Sequence, residues 1–212
     1  MGRERVLVAD DHGVVVAGVR AVLEPEFEIV GVVEDGRALV VAAAELHPDI
    51  IVTDISMPLL NGIEAIRQVK KADPAARAIV LTVHEDIAQI VEAFRAGASG
   101  YLLKTSATTE LPTAVRAVLK GGAYVTPLIA GDVLDNLLMA PVGRKAAGEP
   151  TERQREVIQL VSEGHSVKEI AAVLGISERT VEFHKHKISE ELGLRNTAEI
   201  TRYAVKDGIV SD

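Results

Sequence analysis

Five side chains in the first half of the sequence suggest one kind of chemistry. Asp10 and Asp11 follow directly on the apolar run Val6-Leu7-Val8-Ala9. Asp54 comes just after Ile50-Ile51-Val52, Thr82 closes Ile79-Val80-Leu81, and Lys104 follows Tyr101-Leu102-Leu103. Three carboxylates, a hydroxyl and an ammonium suit a hard cation together with a phosphoryl group. Mg2+ is typically held by one or two carboxylates, waters and phosphate oxygens. A carboxylate can itself take up the phosphoryl group as an aspartyl-phosphate, while a lysine neutralises one phosphoryl oxygen and a threonine hydroxyl hydrogen-bonds another. Taken singly, an aspartate after a strand is ordinarily a helix cap or turn residue, and a lone lysine is ordinarily solvated. The coincidence of all five favours a site.

Such a site needs a scaffold that gathers strand ends. The apolar runs, with Phe27 to Val33 among them, alternate with helix-length segments. Ile87, Ile90, Val91 and Phe94 fall at i, i+3, i+4, i+7, as do Leu111, Ala114, Val115 and Val118. This alternation predicts an α/β domain over residues 1–122, a doubly wound five-stranded parallel sheet with helices on both faces. In such sheets ligands bind outside the carboxyl ends of the strands, where the five polar residues fall. Residues 123–149 read as a helical linker: an isolated helix from Thr126 to Met139, then a Gly-, Pro- and Ala-containing stretch from Pro141 to Pro150.

From residue 150 to 212 the texture changes to that of a small all-α domain of four helices. Thr151-x-x-Gln154 and Ser166-x-x-Glu169 are capping boxes, Asn196-x-x-Glu199 resembles one, and Ser177 is a plain N-cap. Helix, glycine turn at Gly175, and helix again form a helix-turn-helix pattern, whose second helix enters the major groove of DNA. On that second helix Val181, Ile188 and Leu192 share the inward face. The outward face carries Arg179, Phe183 and His186, flanked by Glu182 and Lys187, with Thr180 and Lys185 at the edges in reach of phosphates. A solvated polar face with one stray phenylalanine is the plainer reading of the pattern.

Composition narrows the classes. The 212 residues carry 23 basic and 31 acidic groups, a net charge of −8, and both halves are net acidic. DNA binding must therefore come from a local patch rather than bulk attraction. Aromatic residues make up only 3% of the chain, which disfavours stacking platforms for single strands. With no cysteine there are no disulfides, thiolate metal sites or cysteine nucleophiles. No apolar stretch approaches a membrane span, and the start Met1-Gly2-Arg3-Glu4-Arg5 has no signal-peptide character, so a soluble, cytoplasmic protein is expected. There is no G-x-G-x-x-G after the first apolar run, no Gly-Lys-Ser/Thr and no H-E-x-x-H, which argues against a nucleotide-binding or zinc enzyme.

The set Asp10-Asp11, Asp54-Ile55-Ser56-Met57-Pro58 with Gly62, Leu81-Thr82, and Gly100-Tyr101-Leu102-Leu103-Lys104 resembles the receiver domains of bacterial two-component response regulators. The match spans nearly the whole first domain. It implies a flavodoxin-like fold, with Asp54 accepting a phosphoryl group from the phosphohistidine of a sensor histidine kinase. It also implies Mg2+ held by Asp10, Asp11 and Asp54, and a joint reorientation of Thr82 and Tyr101. Thr105 follows the lysine where many receivers have proline, and Val83 stands where a small residue is common. Gly13 and Val16 replace the Pro and Arg that usually follow an Asp-Asp-His opening.

The segments Thr151 to Val157, Glu163-Gly164, Lys168 to Ala171, Leu174 to Ser177, Thr180-Val181, His184, Ile188 and Leu192 to Leu194 are similar to the LuxR-type DNA-binding domain. The two domains in this order are the arrangement of the NarL/FixJ group. The resemblance implies a phosphorylation-gated transcriptional regulator that binds double-stranded DNA, forms a homodimer when phosphorylated, and is no enzyme beyond its own phosphorylation chemistry. It places DNA contacts at Glu182, Phe183 and His186. Glu182 stands where relatives commonly carry Lys, and Lys187 where they carry Asn. A glutamate can accept from cytosine N4, a phenylalanine can contact the thymine methyl, and a histidine can donate to guanine. Two other classes compete: a regulator acting by protein contact with a DNA-binding domain that no longer reads sequence, and a stand-alone phosphatase.

Overall fold

Each strand of the sheet is a short, mostly apolar run that ends at or just before a polar residue. The computed structural model describes residues 2–83, 85–131 and 149–210. In chain order, the first of two compact units contains β1 (Arg5–Ala9), α1 (Gly13–Leu23), β2 (Glu28–Val33), α2 (Gly36–Leu46), β3 (Ile50–Thr53), α3 (Gly62–Ala72), β4 (Ala78–Thr82), α4 (Ile87–Ala96) and β5 (Gly100–Leu103). A 3-10 turn (Lys104–Ser106), α5 (Ala107–Leu119) and β6 (Tyr124–Val125) follow. The strands are all parallel, in the order β2-β1-β3-β4-β5-β6. This is the doubly wound α/β sheet expected, with a correction: it has six strands rather than five, because Tyr124 and Val125 add to the β5 edge. Residues 127–131 are helical, and the rest of the helix expected from Thr126 to Met139 lies outside the described residues.

Strand side chains alternate between faces, and each face has its own core. Leu7, Ala9, Ile51, Val80, Tyr101 and Leu103 pack with buried residues of α2, α3 and α4. Val6, Val8, Ile50, Val52, Ile79, Leu81 and Leu102 pack with α1 and α5. A sheet covered on both sides explains why its strands read as unbroken apolar runs. The strand order reverses between β1 and β3, and a crevice opens at their carboxyl ends.

The second unit is α-helical: α6 (Glu152–Ser162), α7 (Val167–Leu174), α8 (Glu178–Leu192) and α9 (Thr197–Lys206). The caps stand as expected. Thr151 and Ser166 form complete capping boxes with Gln154 and Glu169. Ser177 accepts from the Thr180 N–H at 3.1 Å and Asn196 from the Glu199 N–H at 3.0 Å. Gly175, at φ 63°, turns α7 into α8 in the left-handed conformation that glycine adopts without a Cβ clash. Among the described residues, no helix is long and apolar enough to cross a membrane.

Candidate functional site

The ladder between β1 and β3 runs one residue past the strand ends: the Asp54 N–H donates to the Ala9 carbonyl at 2.8 Å. Asp10 is held likewise, its N–H donating to the Val33 carbonyl at 3.0 Å. Behind Asp54 the chain must approach closely, since a Cβ on Gly62 would lie 1.9 Å from the Asp54 carbonyl oxygen. Only glycine fits there, and Asn61 beside it caps α3 by accepting from the Glu64 N–H at 2.9 Å. Lys104, in the turn after β5, reaches across the crevice. Its Nζ lies 2.8 Å from Asp10 Oδ2 and 2.8 Å from Asp54 Oδ2. Asp54 Oδ1 accepts from the Ile55 N–H at 2.7 Å.

Electrostatics follow from this crowding. Both Asp10 and Asp54 are buried, at 2% and 3% exposure, and one ammonium serves two carboxylates. Burial pushes the Asp54 carboxyl above its ordinary pKa; the Lys104 hydrogen bond and charge oppose this, and the Asp10 charge adds to it. Burial works against the Lys104 charge, but the hydrogen bonds and charges of Asp10 and Asp54 outweigh it and raise its pKa. Thr82 and Tyr101 are both fully buried and share a hydrogen bond. The Tyr101 phenol is pushed far up by burial, with the Asp86 and Asp54 charges adding to the rise.

The donor set fits a hard cation. One ligand atom each from Asp10, Asp11, His12 and Asp54 lies within 4.8 Å of every other. Asp10 Oδ2 supplies the test. It is buried and meets the Lys104 ammonium at 2.8 Å, with no further polar partner among the described residues. A buried oxygen in that condition has a lone pair to offer a metal. Asp10, Asp11 and Asp54 offer carboxylate oxygens of the kind a hard cation takes.

In the second unit, Val181 and Ile188 are fully buried and Leu192 half-buried, so α8 packs by the face the spacing predicted. Arg179, Glu182, Phe183 and His186 are exposed, while Thr180, Lys185 and Lys187 are half-buried at the flanks. Phe183 is 56% exposed, and its ring meets His184 edge-on at 5.8 Å. Three basic side chains of this face lie beside carboxylates of their own helix: Lys185 by Glu182 at 3.9 Å, His186 by Glu190 at 3.3 Å, and Lys187 by Glu191 at 3.6 Å.

Residues 6–116 match the response regulator receiver domain, and residues 151–204 match the luxR family of bacterial regulatory proteins. The transcriptional regulatory protein DegU of Brevibacillus brevis is 33% identical over 97% of this chain and 94% of its own. The chain belongs to the LuxR-type response regulators. UhpA of Escherichia coli K12, another transcriptional regulatory protein, is 36% identical to this response regulator over 93% of the chain and 95% of UhpA. RcsB of Salmonella enterica serovar Typhimurium, solved on the promoter P1flhDC with the phosphomimetic beryllofluoride, is 30% identical. It covers 95% of this chain and 98% of that one, at a TM-score of 0.59.

The structure of this response regulator also shows positioning residues that sequence reasoning passed over. His12 joins the acidic cluster, its Nδ1 2.8 Å from Asp11 Oδ1 and 3.2 Å from Asp10 Oδ1. In the LuxR-type unit, the buried Gln154 donates to Glu191 at 2.6 Å and so ties α6 to the far end of α8. Arg153 donates to the Leu174 carbonyl at 3.0 Å and to Glu156 at 2.8 Å, fixing α6 against the end of α7. Burial, aided by the Arg153 charge, lowers the pKa of His184 despite nearby Glu156, which favours a neutral ring in that packing. The capping box had hinted at Gln154; His12, Arg153 and His184 stand in motifs already singled out, but their contacts depend on how the chain packs.

Proposed function

We propose that this LuxR-type response regulator is switched by phosphorylation of Asp54 and, once switched, binds an operator in double-stranded DNA through α8. The observation that carries the reading is the Lys104 ammonium, 2.8 Å from both Asp10 and Asp54, over a carboxylate whose other oxygen is held by the Ile55 N–H. Mg2+, held by Asp10, Asp11 and Asp54, would supply positive charge to the phosphoryl oxygens.

The chain's own residues do the rest. An Asp54 oxygen forms the new O–P bond as the P–N bond of a kinase phosphohistidine breaks. The departing imidazole nitrogen keeps the electron pair and takes up a proton. Lys104 turns from Asp54 to the transferred phosphoryl group, where its charge neutralises an equatorial oxygen. The Thr82 hydroxyl hydrogen-bonds another oxygen, leaving its bond to Tyr101, and the phenol of Tyr101 repacks in response. That pair is a two-state element, and the phosphoryl group shifts its equilibrium by binding one state better. In the second unit Glu182, Phe183 and His186 read base edges, while Arg179, Thr180, Lys185 and Lys187 face phosphates. Phosphorylation favours a homodimer on paired half-sites, matching protein symmetry to operator symmetry.

A selection of bound duplexes from a random DNA pool, with and without beryllofluoride, tests this reading. Enrichment of a paired half-site chiefly with the mimic is expected. Equal enrichment in both states refutes the gating. No enrichment in either state refutes DNA reading and favours a regulator working by protein contact, a reading that the exposed Glu182 on the reading face would then explain.

A further inference from the structure

Where β5 ends and Lys104 begins, the sheet is completed by a side chain. β6 pairs with β5 in the register Gly100↔Tyr124 and Tyr101↔Val125, and the Thr126 N–H donates to the Tyr101 carbonyl at 3.1 Å. One step further, a parallel ladder would have the Leu103 N–H donate to the Thr126 carbonyl. That carbonyl instead accepts from the Ile129 N–H at 3.1 Å as the chain turns into helix. The Thr126 hydroxyl takes its place: the Leu103 N–H donates to Oγ1 at 3.1 Å in a buried bond.

Thr126 is 2% exposed, so an unpaired Leu103 N–H here would have no water to turn to. Ser106 Oγ donates to the Leu103 carbonyl at 3.2 Å and lies 3.5 Å from the same threonine hydroxyl. The contacts of Thr126 thus reach Tyr101, Leu103 and Ser106, and these bracket Lys104. Beyond Thr126, Ile129 is buried in the same core as Tyr101 and Leu103.

We propose that Thr126 is a positioning residue for Lys104, and that it couples the phosphoryl site to the segment leaving the sheet. The proposal rests on Asp54 as phosphoacceptor. Thr126 touches no reacting atom; it acts through the backbone of Tyr101 and Leu103, which sets where the ammonium can reach. Coupling of this kind is reciprocal. If releasing Thr126 weakens the hold on a phosphoryl mimic, filling the site with that mimic tightens the Thr126 contact by the same factor.

The test uses the full chain with Mg2+ and beryllofluoride, binding being followed by fluorine NMR. Thr126→Val keeps the side-chain shape and removes the acceptor; it is expected to weaken beryllofluoride binding about fivefold, the worth of one hydrogen bond. Thr126→Ser restores it. Tyr124→Phe removes the 3.2 Å bond from the Tyr124 hydroxyl to Glu110, loosening β6 without touching the Lys104 segment, and leaves binding unchanged. In the parent chain beryllofluoride slows amide exchange at Leu103 and Thr126, and in Thr126→Val it does not. Binding by Thr126→Val equal to the parent overturns the proposal, as does an equal loss in Tyr124→Phe. A parent chain that fails to bind the mimic, or an Asp54→Asn variant that binds it as well, overturns the phosphoacceptor reading and this one with it.

Discussion

Replacing Asp54 by asparagine should make the receiver unit more stable while removing its function. Lys104 and Asp54 attract one another at 2.8 Å, about 6 kcal/mol at an effective dielectric constant of ~20. The Asp10 and Asp54 oxygens in the acidic cluster lie within 4.8 Å, and their repulsion returns about 3 kcal/mol of that. Desolvating a carboxylate this deeply buried costs several kcal/mol more, so ionised Asp54 carries a net penalty of roughly 1–2 kcal/mol. The raised pKa of Asp54 has the same sign. A carboxyl whose pKa is higher folded than unfolded favours folding most below its unfolded value of ~4, and that contribution is lost as pH rises through the folded value. Asp54→Asn should therefore raise the receiver transition by about 3–8 °C at pH 7.5. The gain should shrink as pH falls toward 5, and Mg2+ should narrow it by stabilising the parent chain more than the variant. Calorimetry of both chains across pH, with and without Mg2+, reads all three. A destabilised variant, or a gain independent of pH, would refute the electrostatic account of the site.

Lys104→Met leaves two buried carboxylates without a cation; in a chelator it should lose about 3 kcal/mol to urea unfolding and recover much of that on adding Mg2+. If Mg2+ restores nothing, the acidic cluster is not a cation site. Gly62→Ala forces a Cβ to within 1.9 Å of the Asp54 carbonyl, so the loop must move; a loss of more than about 2 kcal/mol is expected, with beryllofluoride binding gone. A stable variant with intact binding would show that the approach can relax. Glu182→Lys should change the base preferred at one position of each half-site in pooled selection, and an unchanged preference would mean that Glu182 reads no base.

The α/β sheet and its site were legible because burial on both faces writes strands as apolar runs, and parallel topology leaves one set of strand ends to carry chemistry. Asp10, Asp54 and Lys104 could be grouped from their positions alone for that reason. The helical unit was legible through its caps, which are local: Thr151, Ser166, Ser177 and Asn196 each bond within three residues. β6 was not legible. Two residues have no period, and Tyr124 and Val125 become a strand only because the β5 edge lies open beside them. His12 went unremarked as part of the acidic cluster because its place there depends on the turn that follows β1. The Gln154–Glu191 bond spans 37 residues and depends on how α6 lies across α8, which no local pattern encodes.

The carboxylates that accompany Lys185 and Lys187 on α8 would set how a DNA-reading helix of this kind searches. Each cation that meets a phosphate must first leave its own counter-charge, which cancels part of the entropy that condensed ions release from the duplex. Binding then falls less steeply with added salt than the number of phosphate contacts suggests. A net charge of −8 adds no bulk attraction to duplex of random sequence. On such a helix, discrimination would be gained by lowering the background rather than by raising the peak.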